Sequence, residues 1–202
     1  MRRHVRDRGG GRSRQARDRP PSWSASDRAR ASEPARESRL DRDRDRDRIQ
    51  ELATGLQAME RDHPAWGHTF REHVDVTDEQ LGRRAAKGMN TRGRQEPLPP
   101  AHATRWQSKE AMAVAAYALR HSDEYRHHLA AAEKSAKSRF RTQRPLAEVL
   151  GPAWRTDVYG HSNESHGQLP SQWRPDSQAV AIWQKQDNGR WHLYTCYPEV
   201  GC

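Results

Sequence analysis

The chain has 202 residues, with 36 Lys and Arg against 27 Asp and Glu, a formal net charge of +9 at pH 7 and two cysteines. Cys196 and Cys202 both stand at the C-terminal end, where a bridge would close a short loop and stabilise little, so a disulfide-built scaffold is excluded and two free thiols are expected. No window is apolar for long enough to cross a membrane, and the basic opening "MRRHVRDRGGG" is not followed by the apolar run of a signal peptide.

Residues 1–50 hold 16 Arg and 9 acidic residues, no Lys, and the run "DRDRDRDR" from Asp41 to Arg48. Such a stretch cannot bury enough apolar surface to offset the entropy lost on ordering, and is expected to be a disordered tail. It carries +7 of the net charge, so the remaining residues are close to neutral, with 20 basic and 18 acidic side chains. A basic tail raises encounter rates with nucleic acid but specifies no substrate. Residues 51–202 are long enough for one domain with a core.

The first helical period is Ile49, Leu52, Leu56 and Met59, ended by Pro64. In "TDEQLGRRAAKG", Thr77 and Gln80 have capping-box spacing and Gly88 supplies the stop. A loop, "MNTRGRQEPLPPAHAT", precedes the most helical part, where Met112, Ala115, Ala116 and Leu119 form one stripe and Ser122 reads as a fresh N-cap. Beyond residue 137 the pattern turns to strands: "SRFRT", a short apolar piece "PLAEVLG", "WRTDVYG", then a long polar loop, "HSNESHGQLPSQWRPDS". "QAVAIWQK" and "RWHLYTCY" around "QDNG" read as a hairpin. Strict alternation puts Trp191, Leu193, Thr195 and Tyr197 on one side of the last strand and His192, Tyr194 and Cys196 on the other. N-terminal helices followed by a mainly antiparallel sheet make the expected class α+β.

Ten of the eleven histidines lie beyond residue 60. His63, His68 and His73 recur every five residues, a spacing that on one helix sets successive side chains about 140° apart and does not converge on a metal. His161 and His166 share the polar loop, where such a pair could bind phosphate. No GxGxxG, P-loop, HExxH or GxSxG occurs, and neither cysteine stands at a helix start, so nucleotide cofactors and the common hydrolase nucleophiles have no foothold.

Together, "GHTFREHVDVTDEQLGRR", "ATRWQSKEAMAVAAYAL" and the closing "YTCYPE" resemble the ribonuclease A-like toxin domain at the C-terminus of bacterial contact-dependent growth inhibition proteins. That family opens on G-H-T-x-x-x-H-V-x-x-T-D-x-x-L and closes on T-x-Y-P, matched here by Gly67, His68, Thr69, His73, Val74, Thr77, Asp78 and Leu81, then by Thr195, Tyr197 and Pro198. The match runs in order over roughly residues 60 to 200 and leaves residues 1–50 outside it.

The resemblance implies a ribonuclease A-like α+β fold without disulfides, and RNA cleavage by transesterification through a 2′,3′-cyclic phosphate, with no metal and no cofactor. It assigns the active site to His73, Arg84, Thr195 and Tyr197, with His68 in support. The chemistry suits the residue types: RNA brings its own 2′-hydroxyl nucleophile, a histidine can take or give a proton near neutral pH, and an arginine can grip phosphoryl oxygens in two places. The second proton-transfer group stays open among His68, Tyr197, His166 and water, and Arg83 stands beside Arg84 as the other candidate arginine. The implied partners are RNA, tRNA included, and a cognate immunity protein, with the chain a monomer delivered to a target-cell cytoplasm. Two other readings fit the same residues: an RNA-binding module of this fold without activity, and a metal-dependent nuclease built on the histidine-rich loops.

Overall fold

Thr77 begins the best-defined helix of the computed structural model, which describes residues 45–163 and 169–201. The Thr77 hydroxyl accepts from the Gln80 backbone N–H, the Gln80 side chain accepts from the Thr77 N–H, and Gly88 ends the helix with φ of 66°. This is α3 (Asp78–Lys87). Before it come α1, over residues 45–62, and the single-turn α2 (Thr69–His73). Residues 45–50 are helical, so that part of the segment read as a tail belongs to α1; the expectation of disorder for residues 1–44 lies outside the described residues.

The segment between α3 and the next helix, expected to be loop throughout, ends in a strand, β1 (His102–Trp106). Then come α4 (Lys109–Arg120) and α5 (Asp123–Lys134), separated where Ser122 was read as a cap: its hydroxyl accepts from Tyr125 N–H and donates to the Leu119 carbonyl. After β2 (Arg139–Pro145), the apolar piece expected to be a strand is a five-residue helix, α6 (Leu146–Leu150). Pro145 stands at its N-cap, with no N–H to continue a ladder, and five residues are too few for periodicity to choose helix or strand. "WRTDVYG" divides into a 3-10 turn, Trp154–Thr156, and β3 (Val158–Ser162). Inside the expected polar loop, β4 (Leu169–Pro170) pairs with Ser162 and His161. The final hairpin is β5 (Gln178–Lys185) and β6 (Trp191–Glu199).

The class is α+β, with antiparallel strands in two three-stranded sheets ordered β1-β3-β4 and β2-β5-β6. One side of the second sheet supplies Ala179, Ala181, Trp183, Leu193 and Cys196 to a core completed by Met112, Ala116 and Leu119 of α4, Tyr125 of α5 and Leu146 of α6. Ile49, Leu52 and Leu56 of α1 pack against the same core. Of these, the fully buried Met112, Leu119 and Leu146 each contribute about 1.5–3 kcal/mol. A smaller cluster of Val76, Leu81, Ala85 and Ala103 fastens α3 to the first sheet. The sheets meet where the Trp106 indole N–H donates to the Cys196 carbonyl at 3.0 Å and the Thr104 hydroxyl donates to the Pro198 carbonyl.

The last strand does not alternate as expected. Thr195 pairs with Ile182 while Leu193 pairs with Trp183, so Tyr194 is an extra residue in a β-bulge. Residues opposite Ile182 and Trp183 must face opposite ways. The bulge therefore turns Leu193 toward the core with Cys196, and turns Thr195 and Tyr197 to the other face. By the same register His192, opposite Gln184, shares the Thr195 face rather than opposing it.

Candidate functional site

On that second face lies a cavity of about 430 Å³ whose walls include His68, His73, Arg84, Thr104, Thr195 and Tyr197. Its side chains come from four parts of the chain. Gly67 and His68 lie against the bulge: a Cβ on Gly67 would stand 3.1 Å from the Tyr194 carbonyl oxygen, and the His68 N–H donates to that oxygen. The Thr69 hydroxyl accepts from Cys196 N–H at 3.0 Å, and the buried Glu60 carboxylate of α1 accepts from the N–H groups of Phe70 and Arg71. The "GHT" sequence thus clamps α2 onto β6, and Glu60 takes the place of a helix cap.

His73 is buried, and its Nδ1 lies 3.1 Å from the Thr104 carbonyl oxygen. A carbonyl only accepts, so Nδ1 carries the proton and Nε2 keeps its lone pair. Its ring stacks on Tyr197 with centroids 5.1 Å apart and lies 6.1 Å from His68. Burial, reinforced by the Arg84 charge, lowers the His73 pKa to about 3. Burial also lowers His68 to about 4, with Glu72 opposing and Arg71, Arg84 and Arg92 adding to the fall. Both imidazoles are therefore neutral at pH 7. Burial raises the Tyr197 hydroxyl, which stays protonated as a donor.

Arg84 projects from α3 with Nη1 3.7 Å from Glu72 and Nη2 3.1 Å from Glu96, while its buried Nε has no hydrogen-bond partner. Arg83, the other candidate, is exposed and faces Glu79, which settles the arginine of this cavity as Arg84. The Thr195 hydroxyl is buried and likewise without a partner. A neutral imidazole acceptor, a guanidinium and two hydroxyls around one space can hold an anion and move a proton.

All five residues expected from the sequence line this one cavity. The five-residue spacing failed as an argument for His68 and His73 because His68 precedes α2 instead of lying on it. His192 is elsewhere, its Nε2 donating to the Trp66 carbonyl at 2.7 Å. His161 is buried on β3 beside Tyr159; His166 lies outside the described residues. A larger cleft of about 770 Å³ along α1 and α2 contains no histidine, and its Glu60 oxygens are occupied by backbone N–H groups. Among the described residues no group of three or more His, Cys, Asp or Glu is placed to hold a metal ion, and no helix is long and apolar enough to cross a membrane. Cys196 is a free thiol, buried, with its pKa pushed up; Cys202 lies outside the described residues.

Sequence reasoning missed Thr104, hidden in a segment read as loop, and Glu72 and Glu96, the two carboxylates facing Arg84. Glu72 had a signal: an acid next to the motif histidine on the turn that faces α3. Glu96 had none. Compared with known proteins, the chain matches no family model, no curated protein and no solved structure.

Proposed function

We propose that the protein is a metal-independent endoribonuclease of the toxin-effector kind, cutting RNA through a 2′,3′-cyclic phosphate. One observation carries the reading: His68, His73, Arg84, Thr195 and Tyr197, singled out from motifs far apart in sequence, share one cavity. In the proposed reaction His73 Nε2 takes the 2′-hydroxyl proton, the 2′-oxygen attacks phosphorus, and the bond to the 5′-oxygen breaks. Arg84 and the hydroxyls of Thr195 and Tyr197 stabilise the charge that builds on the phosphoryl oxygens. The leaving 5′-oxygen takes its proton from His68, across the cavity from His73, once the bound phosphodiester has raised the His68 pKa. A toxin of this kind acts in a target-cell cytoplasm and has a cognate immunity protein that covers the cavity.

The full chain and its His73→Ala variant are incubated with total RNA and tRNA in excess EDTA. Cleavage by the parent chain that the variant loses supports the reading. Cleavage that appears only when magnesium or zinc is restored replaces it with a metal-dependent nuclease. RNA left intact under every condition, with binding retained, leaves a binding module.

A further inference from the structure

Beside the site cavity lies a second one of about 300 Å³, and His68 and Arg84 line both. The rest of its wall includes Arg71, Arg92 and Arg94, with Asn90 and Tyr194. Four arginines therefore meet three glutamates: Glu72 and Glu96 in the wall, and Glu60 3.8 Å from Arg71, all of them paired with Arg71 or Arg84. Glu72 accepts from the Thr91 hydroxyl at 2.6 Å and faces Arg71 and Arg84, while Glu96 pairs with Arg84. No carboxylate of the described residues lies within ion-pair distance of Arg92 or Arg94.

The backbone that carries these two arginines is fixed. Gly93 closes a turn by donating to the Asn90 carbonyl at 3.0 Å and holds φ of 72°, a conformation open to glycine. The Asn90 side-chain oxygen accepts from the N–H groups of both Arg92 and Arg94, each at 3.0 Å, and Asn90 N–H donates to the Arg94 carbonyl. Two exposed guanidiniums are thus presented from one rigid turn at the rim of the cavity. Tyr194, re-aimed by the bulge, walls the opposite side, its ring edge-on to His68 at 4.8 Å and under Arg139 at 4.3 Å. The charge left unneutralised fits an anion, and the shared His68 and Arg84 make that anion continuous with whatever fills the first cavity.

We propose that this second cavity is a phosphate subsite, held by Arg92 and Arg94, for the phosphodiester next in the strand to the one cleaved. This inference rests on the ribonuclease reading. It makes the substrate a single strand engaged through at least two phosphates, which a dinucleoside monophosphate cannot supply.

The test compares the full chain with the Arg92→Ala/Arg94→Ala double variant. A fluorescent single-stranded DNA hexamer, uncleavable for want of the 2′-hydroxyl, reports binding across a salt series. An RNA hexamer and a dinucleoside monophosphate report cleavage. The expected result is a fall of about tenfold in the ratio of kcat/KM for hexamer over dinucleotide. The salt slope of DNA binding should become shallower by about 0.7, the value for one single-strand phosphate contact. An unchanged ratio and an unchanged slope, with cleavage intact in the parent, overturn the subsite and leave the ribonuclease reading standing. Binding weakened in the variant while the parent cleaves neither RNA overturns the ribonuclease reading and keeps an anionic strand site.

Discussion

The rings of His73 and Tyr197 lie 5.1 Å apart and within 26° of parallel, although one belongs to a five-residue helix and the other to the last strand. The stack holds the imidazole flat against β6 while its Nδ1 donates to the Thr104 carbonyl. Two contacts from two sheets thus fix one ring, and its Nε2 is the atom left for chemistry. Tyr197→Phe keeps the ring and removes the hydroxyl. We expect thermal stability to stay within about 1 kcal/mol and RNA cleavage to fall about 100-fold, the scale for losing one donor to a developing oxyanion. Melting and initial rates on the same preparation separate the two effects; equal rates would remove Tyr197 from the mechanism.

Thr195 provides the sharpest separation of stability from function. Its hydroxyl is buried with no partner, and a buried polar group without a hydrogen bond costs about 1–3 kcal/mol. Thr195→Val keeps the shape and removes that cost. The variant is expected to melt at or above the temperature of the parent and to cleave RNA more slowly. A variant that loses stability would mean that the hydroxyl has a structural bond.

Acid should destabilise this fold early. Unfolded histidines protonate near pH 6.5, whereas folding holds His68 neutral to about 4 and His73 to about 3. The unfolded chain binds more protons between those values, so the contribution is complete above pH 6.5 and is lost as pH falls toward 4 and 3. Each such histidine adds a slope of about 1.4 kcal/mol per pH unit. His73→Asn should therefore show a shallower loss of urea stability between pH 6 and 4, by about that slope. Parallel curves for variant and parent would contradict the neutral, buried assignment.

Glu96 competes with any anion for Arg84, since it already holds Nη2 at 3.1 Å. Glu96→Gln removes the charge and keeps the size. Inhibition by inorganic phosphate is expected to tighten by roughly 2–5-fold, the worth of a partly exposed ion pair. Weaker inhibition would show instead that Glu96 holds the guanidinium in its working orientation.

Gly67→Ala tests the seam between α2 and the bulge. The new Cβ would meet the Tyr194 carbonyl oxygen at 3.1 Å, tight enough to move the strand or the turn. Overpacking of this kind costs about 1–3 kcal/mol. Cleavage per folded molecule should fall further than in Thr77→Ala, which loses the N-terminal cap of α3, worth about 1 kcal/mol. Equal activities would detach the seam from the site.

Local chemistry was legible without any tertiary contact. The Thr77–Gln80 capping box, the Gly88 stop, the Ser122 break between α4 and α5 and the Asn-Gly hairpin each depend on neighbours a few residues away, and each stands where the pattern put it. The five residues that the resemblance assigns to a site share one cavity. What lay beyond sequence was set by partners far along the chain. The strand at Thr104 exists because β3 pairs with it, and the five residues after Pro145 form a helix that sets Leu146 into the core. The bulge at Tyr194 reversed the expected faces: it moved Leu193 into the core and aimed Thr195 and Tyr197 at His73. Alternation follows from backbone geometry and is written in any strand. A bulge is a one-residue mismatch between two strands, settled by how the sheet packs on α4 and how closely Gly67 approaches. The sequence determined which groups could do the chemistry; the packing of β6 against α2 and β1 decided that they face one another.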